Sequence, residues 1–108
     1  MKKDTLLDPE LVILDASVET KEEIMVRLAK LLVSKGYAKE SYVDAILERE
    51  MVFPTGLPTE VGGVALPHTD THHVIKPGIA LAVLKEPVKF NIMGNSSEEV
   101  DVNLIFML

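Results

Sequence analysis

Ile79-Ala80-Leu81-Ala82-Val83-Leu84 is six apolar residues in a row with no polar alternation, the pattern of a strand covered on both faces. A strand of that kind predicts a sheet with helices on either side. Val61 to Leu66 and Val100 to Leu108 are further strand-like runs, and Val12-Ile13-Leu14 reads as a short one near the start. Between them the period changes to that of a helix. Thr20 and Glu23 form a capping-box pair, and Ile24, Leu28, Leu31 and Leu32 follow at i, i+4, i+7 and i+8. This predicts a helix over Lys21 to Lys35, stopped by Gly36 in the left-handed conformation. A second helix is expected from Ser41 to Glu50, with Val43, Ile46 and Leu47 buried, Asp44, Glu48 and Glu50 toward water, and Pro54 and Gly56 ending it. Lys85 to Glu99 contains Pro87, Gly94, Asn95, Ser96 and Ser97, so a loop is expected there, with Val88-Lys89-Phe90 as a short strand inside it. The fold class is α/β, a mixed β-sheet flanked by helices on both faces.

At 108 residues and 47% hydrophobic content, the chain is expected to form one domain, 1–108, around a modest core. A formal net charge of -6 argues against nucleic acid or an anionic membrane surface as the main partner. With no cysteine there is neither a disulfide framework nor thiolate chemistry, which fits a reducing cytoplasm. Asp4, Asp8 and Glu10 break the apolar run near the start, leaving no signal-peptide core or membrane span. The expected location is cytoplasmic. The last residues, Asn103-Leu104-Ile105-Phe106-Met107-Leu108, end on five apolar side chains with no turn after them. Fully burying such side chains contributes roughly 1.5–3 kcal/mol each, so a cover is expected. A C-terminal helix missing by truncation is the favoured cover, with a homo-oligomer through the exposed C-terminal strand as the other.

Chemistry concentrates at Gly63-Val64-Ala65-Leu66-Pro67-His68. Pro67 presets a turn, pushes Leu66 toward an extended conformation and projects His68. Neutral imidazole is a nucleophile near its ordinary pKa of about 6.5. His68, Asp70, His72 and His73 fall within six residues; if extended, the first three would share a face and could ligate a metal. The bland alternative is three polar loop histidines without a common role. Gly62 and Gly63 let the strand run close to a neighbour. No glycine-rich nucleotide loop is present.

Arg49-Glu50, Thr55-Gly56-Leu57 and Gly63-Val64-Ala65-Leu66-Pro67-His68, in this order and register, closely resemble the type 2 IIA domain of the bacterial phosphoenolpyruvate-dependent sugar phosphotransferase system, the fructose/mannitol class. The likeness spans nearly the whole chain. Pro67-His68-Thr69-Asp70, His73-Val74, Val88-Lys89-Phe90 and Met93-Gly94 look most like the galactitol-type branch. The resemblance implies that His68 takes a phosphoryl group on Nε2 from the phosphocarrier HPr and hands it to a cysteine of a cognate IIB component during uptake of galactitol or a related sugar. It implies no cofactor. Arg49 matches an arginine near the phosphohistidine, and its planar fork suits phosphate oxygens; otherwise it reads as a helix arginine paired with Glu48 or Glu50. Thr55 either donates a hydroxyl hydrogen bond to the phosphoryl group or caps the preceding helix. Asp70 or Thr69 is expected to orient the imidazole through its other nitrogen. Val64, Leu66, Met51 and Phe53 are candidates for the partner-contact surface, the last two equally for the core.

Members of that family carry a second active-site histidine beyond the strand matching Val100 to Leu108. This sequence stops before it, and His72 and His73 do not stand at the matching position. Two other functions remain in play: a regulatory phosphorylation sensor of the nitrogen-related or transcription-regulator kind, and a metal-binding domain.

Overall fold

The computed structural model describes residues 7–60 and 62–108. Its elements are β1 (Leu7–Ala16), α1 (Lys21–Ser34), α2 (Ser41–Val52), β2 (Gly56–Thr59), β3 (Gly62–Ala65), a 3-10 turn (Thr71–His73), β4 (Ile79–Ile92) and β5 (Asn95–Met107). Val61, expected to open the third strand, lies outside the described residues. The sheet is mixed, as expected: β4 runs parallel to β1 and antiparallel to β5, while β3 runs parallel to β5 and forms a hairpin with β2. Gly56 of β2 pairs back to Ile92 at the end of β4.

Helix α1 starts where the capping pair places it, with the Glu23 N–H donating to Thr20 Oγ1 at 3.2 Å. The Glu23 carboxylate reaches back to the N–H of Glu19 at 3.1 Å, one residue earlier than a capping box requires. At the other end Gly36 adopts φ +85°, and Tyr37 N–H donates to the Leu32 carbonyl at 2.9 Å. The buried stripe of α1 is Ile24, Met25, Leu28, Ala29 and Leu32. Helix α2 is turned relative to the sequence expectation. Tyr42, Ile46 and Glu50, at i, i+4 and i+8, are its buried residues, while Val43 and Leu47 are half-buried. Glu50, expected to face water, is only 4% exposed.

Both helices contribute to one buried cluster with Leu11, Ala80, Ala82, Leu84, Ile105 and Met107. The alternate sheet positions, Val12, Ile79, Leu81, Val83, Leu104 and Phe106, are half-buried. Cover therefore lies on one face among the described residues, and the unbroken apolar run of β4 reflects two apolar faces of unequal burial. Strand β5 pairs with β4 along most of its length and with β3 at Val102, Leu104 and Ile105. It is no open edge there, so along Val102 to Ile105 the C-terminal strand has no free edge to offer a second copy.

Two stretches differ from the sequence reading. The expected loop Lys85 to Glu99 is a hairpin, with Val88 opposite Val102, Lys89 opposite Asp101 and Phe90 opposite Val100. Only Val88 and Phe90 of this arm of β4 are buried, so the outer row is wet and its polar residues resemble a loop. Gly56-Leu57-Pro58-Thr59 is a strand that its glycine and proline disguise. Gly63 meets the close approach expected of it: a Cβ there would stand 2.1 Å from the Asp101 carbonyl oxygen of β5. Among the described residues no helix is long and apolar enough to cross a membrane.

Candidate functional site

Strand β3 delivers the chain to a corner that is pinned on three sides. Leu66 N–H donates to Thr55 Oγ1 at 3.2 Å, Leu108 N–H donates to the Pro67 carbonyl at 3.0 Å, and Pro67 itself is buried. His68 follows, half-buried, with Nδ1 at 2.9 Å from the Leu66 carbonyl oxygen. A carbonyl oxygen only accepts, so in the neutral ring the proton sits on Nδ1 and Nε2 carries the lone pair. The orienting group is thus a backbone carbonyl two residues back, where the sequence pointed to Thr69 or Asp70.

Behind the corner stands Glu50. Its carboxylate accepts from Thr55 N–H at 2.8 Å and from Thr55 Oγ1 at 2.9 Å. Burial pushes its pKa up from the usual carboxylate value, opposed by the two Thr55 hydrogen bonds and by the positive charges of Lys21 and His68. Thr55 is 2% exposed. Its hydroxyl proton goes to Glu50 and its lone pair to Leu66 N–H, so the phosphate hydrogen bond expected of Thr55 has no donor left to make it. It joins the end of α2 to the corner, closer to its other sequence reading.

Arg49, next to Glu50 but on the outer side of α2, stacks its guanidinium 4.5 Å above the Phe53 ring. Its ion partner is neither Glu48 nor Glu50. Asp70 is, through Nη1 to Oδ1 at 3.9 Å, too long to occupy the fork. Arg49 Nε is buried without a hydrogen-bond partner among the described residues. Arg49, Thr69, Asp70, Phe53 and His73 share the lining of a depression of about 270 Å³, so the guanidinium borders an open space beside the two residues that follow His68. Met51, Val52 and Phe53 are 75%, 66% and 57% exposed, which takes Met51 and Phe53 out of the core and leaves an apolar rim at the end of α2.

His73 borders the depression, but neither it nor His72 is bound to the corner that holds His68. Thr71–His73 winds into a 3-10 turn instead of extending, so His68, Asp70 and His72 do not share a face. Among the described residues no group of three or more His, Cys, Asp or Glu is placed to hold a metal ion. The His72 and His73 rings contact each other tilted by 40°, ring centres 3.9 Å apart, and His73 Nδ1 lies 2.8 Å from Ser41 Oγ. The residues missed by sequence reasoning are Glu50 and the carbonyl of Leu66. A glutamate eight residues after Tyr42 and four after Ile46 was the available signal.

Residues 5–108 match the family model for the phosphoenolpyruvate-dependent sugar phosphotransferase system, EIIA 2. The chain is 33% identical over 100 residues to the Transcriptional regulator ManR of Bacillus subtilis, covering 93% of this chain and 14% of that protein. It is 32% identical over 110 residues to the mannitol-specific phosphotransferase enzyme IIA component of Halalkalibacterium halodurans, 91% of this chain and 74% of that one. To the galactitol-specific EIIA component of Escherichia coli it is 26% identical over 88 residues, 82% of this chain and 58% of that protein. Among solved structures, the complex of enzyme IIA and phosphorylated enzyme IIB for mannitol from Escherichia coli superposes with a TM-score of 0.75 at 26% identity, over 94% of this chain and 69% of that one.

Proposed function

Because the chain belongs to the phosphoenolpyruvate-dependent sugar phosphotransferase system EIIA 2 family, a family of phosphotransfer components, we propose that it carries a phosphoryl group on His68 between phospho-HPr and a cognate IIB component. The observation that carries this reading is the hydrogen bond from His68 Nδ1 to the Leu66 carbonyl. It leaves Nε2 as the bare nitrogen. In the first transfer the Nε2 lone pair attacks phosphorus, the bond from phosphorus to the donor nitrogen breaks, and its electron pair returns to the donor ring. In the second, a IIB thiolate attacks and the Nε2–phosphorus bond breaks. The proton stays on Nδ1 throughout, donated to the Leu66 carbonyl.

Catalysis of this kind rests on position and charge. Arg49, with Nε unengaged and its fork loosely held by Asp70, is the proposed partner of the phosphoryl oxygens. The rim of Met51, Val52 and Phe53 suits transient apolar docking of successive partners. The proposed cargo is a hexitol. The mannitol-named relative is more identical to this chain than the galactitol-named one, which moves the preference away from the galactitol branch. A regulatory role is the second reading, favoured by the 33% identity to a transcriptional regulator across 93% of the chain.

The test is incubation with phosphoenolpyruvate, enzyme I and HPr, followed by intact mass. One acid-labile phosphoryl group is expected, located at His68 by peptide mapping. Label on His72 or His73, or none, would reject the site. Adding a mannitol IIB component separates the two readings, since a carrier loses its label to the IIB cysteine within seconds and a sensor retains it.

A further inference from the structure

Glu50 is a charged residue inside the apolar stripe of α2, and nothing in the phosphoryl transfer above uses it. Its carboxylate is the base of a connected set of hydrogen bonds: it accepts from Thr55 N–H and Oγ1, Thr55 Oγ1 accepts from Leu66 N–H, and the Leu66 carbonyl accepts from His68 Nδ1. We propose that Glu50 and Thr55 are positioning residues for the phosphoryl-accepting nitrogen: the buried carboxylate holds Thr55, Thr55 holds Leu66, and the Leu66 carbonyl keeps the proton of His68 on Nδ1. This rests on His68 being the acceptor.

The coupling is geometric. Leu66 N–H belongs to the peptide it shares with Ala65, and its carbonyl to the peptide it shares with Pro67, so polarisation does not pass through one amide. Orientation does. With the N–H tied to Thr55 and the Pro67 carbonyl tied to Leu108, the proline ring restricts Leu66 to extended backbone, and its carbonyl has one direction to point. Glu50 suits the anchor because its two oxygens take both Thr55 donors at once, which an alcohol or a single amide oxygen does not. The positive groups acting on it are Lys21, itself 2.6 Å from Asn91 Oδ1, and His68.

The experiment reads the His68 tautomer by ¹⁵N–¹H correlation in full-length chains at a pH where the ring is neutral, alongside phosphoryl uptake from phospho-HPr. The wild type should show the Nδ1–H form. Thr55→Val, close in volume but without the hydroxyl, should shift the ring toward Nε2–H and slow uptake about tenfold, and Thr55→Ser should restore both. Glu50→Gln keeps the volume and one acceptor, and should shift both readouts the same way by about twofold to threefold; this arm decides if Thr55→Val does not fold. Folded variants with the wild-type tautomer and rate would overturn the proposal. The tautomer is measured without any phosphoryl donor, so the two ideas fail separately. A wild type that holds Nδ1–H, loses it in Thr55→Val and takes up no phosphate would reject the carrier function and leave the positioning role intact.

Discussion

His68 and His73 lie five residues apart on one connection, yet their surroundings give them different chemistry. His68 is bound through Nδ1 to a carbonyl that only accepts, on a corner tied to Thr55 and Leu108. His73 meets a serine hydroxyl, which donates or accepts as the ring requires, on a 3-10 turn whose residues are exposed or half-buried. The first ring has a fixed proton and the second does not. The two histidines are thus distinguished less by exposure than by whether the ring's partner can switch roles.

The largest effect should come from exchanging the two rings' fates. His68→Asn is expected to abolish phosphoryl uptake entirely, while His73→Asn keeps one phosphoryl group per chain. Intact mass of both variants after the relay reaction decides it; uptake surviving in His68→Asn would erase the distinction. Next in size is Arg49→Ala. A charge-assisted hydrogen bond contributes about 1.5–3 kcal/mol, so its loss at the phosphoryl oxygens should slow transfer by roughly tenfold to a hundredfold. Thermal melting of the variant should stay close to wild type, because Arg49 is partly exposed and its one ion partner stands 3.9 Å away. Stopped-flow transfer at wild-type speed would remove Arg49 from the site.

The distinction between the two histidines was half-legible in the sequence. The proline before His68 marked a rigid corner, and the capped start of α1, the Gly36 stop and the apolar run of β4 were all read from local patterns that recur as structure. What stayed hidden depends on partners far along the chain. Thr55 reaches Leu66 across eleven positions and Leu108 reaches Pro67 across forty-one, and a backbone carbonyl has no sequence signature at all. Glu50 was misassigned because charge outweighs a position on a helix stripe in any pattern reading. The β4–β5 hairpin was missed for the converse reason: with one wet row, Lys85 to Glu99 has a loop's composition.

Glu50 also gives the fixed corner a pH dependence. Burial raises its folded-state pKa above the ordinary carboxylate value of 4.5, so the folded chain holds that proton more tightly than the unfolded chain. Between the two pKa values the folded state binds more protons, and stability must therefore rise as pH falls through the window. Above the raised pKa the cost of burying the charge is fully present. Glu50→Gln removes this titration while leaving every other group in place. The stability of wild type minus that of Glu50→Gln, measured by urea unfolding across a pH series, should increase as pH falls through the raised pKa. The same difference taken for Ser41→Ala should change little at any pH, within about 0.5 kcal/mol for an exposed site. A flat curve for Glu50→Gln would mean that the carboxylate is no more costly to ionise in the folded chain than in water.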